Sequence, residues 1–171
     1  MSKTHQQPRP SAASWLWRVS SVLFVIWGLV HLLAGISTIV QLARGNAADA
    51  VYAITPKADR ALVEIDYPDA VVAILSQHGF NLLWIGVVTV AASVVWRRHQ
   101  VLYGLAAFVA GCLDLGYFVF IDVGGFAEFP GPQMTYICAA AIILGLIAMR
   151  VGRTRASTGV VGHAAASDLA D

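Results

Sequence analysis

The chain has 171 residues, of which 58% are hydrophobic and only 12% charged, where soluble domains carry about 25% charged residues. With a mean hydropathy of +0.70, an ordinary soluble domain is excluded. Eleven Lys and Arg against ten Asp and Glu leave a formal charge of +1, so no bulk attraction draws nucleic acid, and nucleic-acid binding is set aside.

In chain order, residues 1–14 mix Gln, Pro, Ser and Lys and predict a disordered N-terminus. Four apolar segments follow within a transmembrane domain over 15–150, each long enough to fill a hydrocarbon core of roughly 30 Å. The first covers 19–41, between Arg18 and Arg44. Its length argues against a signal peptide cut near Ala48-Asp49-Ala50, since signal cores hold about 7 to 15 apolar residues. After it, Thr55-Pro56 marks a plausible helix start, with Ala61, Leu62 and Ile65 spaced for one apolar face, so a short surface helix is expected in the first outer loop.

The second span covers 70–96, opening after Pro68 and closing on Arg97-Arg98. The third covers 101–121 and is interrupted by Asp114; the fourth covers 133–149 behind the helix-breaking run Phe129-Pro130-Gly131-Pro132. Residues 151–171 mix Gly, Ala, Ser and Thr without an apolar period and predict a disordered tail. Cys112 and Cys138 sit in apolar runs without paired spacing and read as small buried hydrophobes, not as a disulfide or zinc pair. Because the spans are apolar on every side, the fold class is an all-α integral membrane protein, four transmembrane helices in an antiparallel bundle.

Basic residues orient it. Lys3, Arg9, Arg18, Arg97, Arg98, Arg150, Arg153 and Arg155 share one side if both termini are cytoplasmic, leaving only Arg44, Lys57 and Arg60 opposite. The expected topology is N-in, C-in, in a membrane such as the bacterial inner membrane. In span count and size alone the chain resembles the small four-span bacterial membrane proteins of DoxX-like type.

An ionisable residue inside a span is expensive and is a functional-site hypothesis. There are few: His31 in the first span, His78 beside Gln77 and Asn81 in the second, and Asp114 with Tyr117 in the third. On a helical wheel Gly28, His31, Gly35 and Thr38 share a sector with Ser21 nearby, His78 groups with Asn81, Ile85 and Thr89, and Asp114 groups with Ala107, Gly111, Tyr117 and Ile121. Counted from the outer helix ends, His31, His78, Asn81 and Asp114 fall at similar depths of roughly 12 to 16 Å. They are expected to meet.

Three readings of that meeting stay open. One is a structural polar network among helices. A second is a proton-responsive ligand pocket, part of a transport or accessory subunit, lined by His31, His78, Asn81, Asp114 and Tyr117 with Asp122, Glu128 and Tyr136 at a wetted mouth. A third is a metal or haem site, with His31, His78 and Asp114 as a facial triad for a divalent metal or the two imidazoles as axial haem ligands. Phosphate loops, nucleophile elbows and paired-histidine motifs are absent from the sequence, which points away from an enzyme. The bilayer is the expected partner. Small-residue faces such as Ala107 with Gly111 and Ala141 with Gly145 offer contact to a second copy or another membrane protein. His5, His99 and His163 read as surface residues.

Overall fold

The computed structural model describes residues 12–167, with side chains described through Val151. Every regular element among the described residues is helical. The chain forms α1 (Ala12–Ala43), α2 (Ala47–Ile54), α3 (Arg60–Val63), α4 (Asp69–Val94), α5 (Gln100–Tyr117) and α6 (Gly131–Ser167), and α5 runs on into a wider π-helical turn over Phe118–Asp122. Four of these are long and apolar enough to cross a membrane: Ala12–Ala43, Asp69–Val94, Gln100–Asp122 and Gly131–Val151. α1 packs against α4 and α6, and α5 closes the group by packing on the same two helices.

The ends differ from the compositional expectation. Ala12 to Ser14 already belong to α1, and the backbone of α6 stays helical to Ser167, since no proline interrupts the Ala-rich stretch after Val151. The rest of the expected disordered N-terminus (1–11) and tail (168–171) lie outside the described residues, as does His5.

The surface helix is also displaced. Thr55 caps the end of α2 instead of starting a helix, while the next turn begins at Asp59, whose side chain accepts a bond from the Ala61 N–H. An Ala-rich run, Ala47-Ala48-Asp49-Ala50, carries the stronger helix signal. Gly45, at φ +79°, makes the left-handed turn that separates α2 from α1.

Without a hydrophobic drive between helices in lipid, close packing and hydrogen bonds hold them together. The α1–α4 contact supplies both. Ser21 donates to the Ser93 carbonyl at 2.5 Å. Seven residues further up α1, a Cβ on Gly28 would meet the Gly86 carbonyl oxygen at 2.9 Å, and seven further still, a Cβ on Gly35 would meet the Gly79 oxygen and Leu83 nitrogen at 2.5 Å. Each step of seven up α1 therefore meets a step of seven down α4, and the backbones approach as closely as side chains of one hydroxymethyl or one hydrogen allow.

The small residues that suggested a partner-facing surface are used within the chain: Ala141 is fully buried, Gly145 faces Ser20, and Gly111 faces Ile142. Of the two cysteines Cys138 is buried as expected, whereas Cys112 is exposed on α5, two residues from each of the buried Ala110 and Asp114.

Gly35→Ala forces backbone apart and is expected to cost about 1–3 kcal/mol, read as a fall in thermal midpoint of the detergent-solubilised protein. Gly116→Ala, where an added Cβ meets nothing within 4 Å, should leave the midpoint unchanged or slightly higher. Equal effects of the two would mean that α1 and α4 do not make this contact.

Candidate functional site

Turning the small stripe of α1 toward α4 leaves a second stripe, Trp17, Ser20, Phe24, Trp27 and His31, on the flank that faces α5 and α6; its members sit roughly 20 to 120° around the wheel from Ser21 and Gly28. Four of the five are buried. α5 answers with Tyr103, Ala106, Ala110 and Asp114, all buried and spaced three or four apart.

At one level Ser20 donates to the Ala141 carbonyl at 2.6 Å and lies 2.5 Å from the Tyr103 hydroxyl, which leaves Tyr103 as donor. The Tyr103 ring meets Trp17 and Phe24 edge-on at 5.4 and 5.6 Å. Neither Ser20 nor Tyr103 was singled out by the polar-residue reading, because hydroxyls within apolar runs carry no distinctive spacing.

About three turns along α5 from Tyr103 stands Asp114, 5% exposed. Its Oδ2 accepts the Trp27 indole N–H at 2.8 Å. Its Oδ1 faces His31 Nε2 across 3.9 Å. The Cys138 thiol, a weak donor on α6, lies against the same carboxyl. His31 stacks on Trp27 with ring centroids 3.7 Å apart and planes 25° off parallel, and its Nδ1 lies 2.9 Å from the Trp27 carbonyl oxygen.

A carbonyl can only accept, so Nδ1 carries the hydrogen; in a neutral imidazole Nε2 is then a bare acceptor. Two acceptors, Nε2 and Oδ1, consequently face each other. One added proton turns that repulsion into attraction.

Beside this pair opens a cavity of about 530 Å³ whose wall includes His31, His78, Asp114, Tyr117 and Glu128. Its wall also includes Ala53, Ile54 and Pro56 from the first long connection and Phe129, Pro130 and Gly131 at the start of α6 and just before it. A bond from the Lys57 N–H to the Phe126 carbonyl, 3.2 Å, ties those two segments together. Gly131 has a function here: the Tyr117 hydroxyl occupies the place a Cβ on it would take.

Of the residues singled out by sequence, His31, His78, Asp114 and Tyr117 thus share one cavity, and Asn81 does not. Asn81 is exposed on α4 and accepts the Trp84 indole N–H at 3.2 Å. The reason is rotational: Asn81 lies roughly 160° around the helix from Gly79, which faces α1, while His78 is one position away on the cavity flank. Of the three residues expected at a mouth, Glu128 lines the cavity, but Tyr136 is 64% exposed and neither it nor Asp122 is part of the wall.

The facial-triad expectation is not met by the geometry. Among the described residues no three His, Cys, Asp or Glu side chains gather as a metal would need. His31 uses Nδ1 on a carbonyl and points Nε2 toward Asp114.

Trp27 is what the sequence reading missed as a site residue. A signal existed: an indole N–H in a span needs an acceptor, and Trp27 stands one turn before His31. No known protein-family model, characterised protein or solved structure matches this chain.

The Trp27–Asp114 bond is testable by a double-mutant cycle in detergent. Trp27→Phe and Asp114→Ala should each lower the thermal midpoint. Together they should lose less than their sum, by a coupling of about 0.6–1.7 kcal/mol, the range for hydrogen bonds between membrane helices. Strict additivity would mean that the bond is absent.

Proposed function

We propose that this is a small multi-pass membrane protein of a bacterial inner membrane, an antiparallel four-helix bundle with both termini cytoplasmic, built around a proton-responsive ligand pocket. The observation that carries this reading is the facing pair His31 Nε2 and Asp114 Oδ1, 3.9 Å apart on the wall of a cavity of about 530 Å³. A membrane interior excludes unpaired charge. The pair therefore alternates between a shared proton that joins Nε2 to Oδ1 and an anionic carboxylate facing a bare imidazole nitrogen, and the wall of the pocket changes its charge and hydrogen bonding as it does so. A cavity of this size suits a small molecule, in keeping with a transport or accessory role.

The purely structural reading keeps one specific support, the Trp27–Asp114 hydrogen bond, which anchors α1 to α5 whatever the cavity holds.

Two experiments decide. Trp27 stacks on His31, so protonation of the imidazole should change indole emission sigmoidally between about pH 5 and pH 8. The change should vanish in His31→Ala and persist in Trp84→Phe, since Trp84 bonds Asn81 away from the cavity; a flat wild-type profile would leave only the structural network. For orientation, Asn46→Cys should label from outside and Gln100→Cys from inside with an impermeant thiol reagent, in a background carrying Cys112→Ala and Cys138→Ala. The reverse pattern overturns the topology.

A further inference from the structure

The charges around the cavity narrow what it holds. Its wall carries two carboxylates, Asp114 and Glu128, and no Lys or Arg. Arg60, in the nearby loop, is already bonded to Asp49 at 2.9 Å. An anion entering this space would meet two like charges, and only protonated imidazoles could offset them.

Asp114 has one oxygen committed to Trp27, while the other faces the Nε2 acceptor of His31, and the weak thiol donor of Cys138 lies against the carboxyl. That oxygen has room in its hydrogen bonding for a strong donor. Tyr117 and Phe129 add aromatic surface on the same wall, which attracts a cation through the ring quadrupole, and the remaining wall is mostly aliphatic.

Resting on the pocket reading above, we propose that the cavity binds a lipophilic monocation, an ammonium group on an apolar body, with the ammonium paired to Asp114 and its binding opposed by protons. A buried ammonium is tolerated only where a carboxylate pairs it, and Asp114 is the buried carboxylate that this wall offers. The sign of the pH dependence follows. The titratable groups around the site are His31 from α1, His78 from α4, Asp114 and Tyr117 from α5, Cys138 from α6 and Glu128 from the preceding segment. A proton on either imidazole adds a positive charge, and a proton on Asp114 or Glu128 removes a negative one. Every one of these protonations weakens the cation, so affinity rises with pH.

Phenylbutylamine, phenylbutanol and phenylbutyrate share one body and differ in charge. Titrated into the full chain in a neutral maltoside detergent and read by tryptophan emission, the amine should bind roughly tenfold tighter at about pH 8 than at about pH 5.5. The alcohol should bind more weakly and without pH dependence, and the acid should not bind. Asp114→Asn, which keeps an oxygen for the Trp27 bond, should lose the amine while melting near the wild-type temperature; Glu128→Gln should weaken it less. Equal binding of amine and alcohol, or an amine affinity unchanged in Asp114→Asn, overturns the cation assignment and leaves the pocket standing. Failure of the amine to bind also overturns it, and the pH profile of Trp27 emission then tells whether the pocket reading falls too: a sigmoidal profile retains it, a flat one removes it.

Discussion

The close approach of α1 to α4 sets the rotation of α1, and the remainder of the bundle follows from that rotation. Only Ser21, Gly28 and Gly35 are small enough to face the Ser93, Gly86 and Gly79 positions at these separations, so α1 has one way to lie. In that orientation its large stripe from Trp17 to His31 turns to α5 and α6. Packing in lipid cannot rely on expelling water. Fit and polar bonds take its place, and both are concentrated on this one helix.

Along that stripe the two polar levels differ in completeness. Around Ser20 the donors and acceptors match: Tyr103 to Ser20, Ser20 to the Ala141 carbonyl. Around Asp114 they do not, because a tautomer fixed by the Trp27 carbonyl leaves His31 facing a carboxylate oxygen with no hydrogen between them. A matched network stiffens a core, whereas an unmatched one at a cavity wall responds to what enters. Trp27 belongs to both worlds, bonding the carboxyl and stacking on the imidazole, so packing and site share a residue.

Much of this was legible in the sequence. Span lengths gave the four helices, since apolar runs between Arg18, Arg44, Arg97 and Pro132 leave little choice. The scarcity of ionisable groups in those runs led directly to His31, His78 and Asp114. Less legible was which neighbour each faces. A wheel groups residues within a helix but does not say where the wheel points, so Asn81 was grouped with His78 although the glycines of α4 turn it outward. Likewise His31 was grouped with Gly28 and Gly35, when the glycines face α4 and the imidazole faces α5. Short helices in the first long loop depend on capping by single residues such as Asp59, a local signal easily outweighed by the Thr-Pro pair upstream.

The seven-residue spacing of the α1–α4 contact has a bearing on how such a chain can change over generations. One residue inserted between Gly28 and His31 would turn everything beyond it by roughly 100°, carrying Gly35 off α4 and His31 off Asp114 in a single event. Deletions within 79–93 of α4 would do the same from the other side. Length in these two stretches is therefore frozen more strictly than side-chain identity, and variation in chain length is confined to the connections, two of which line the cavity. Relatives of this protein would keep the same helix pair and differ in the roof of the pocket, which is where a change of ligand would be written.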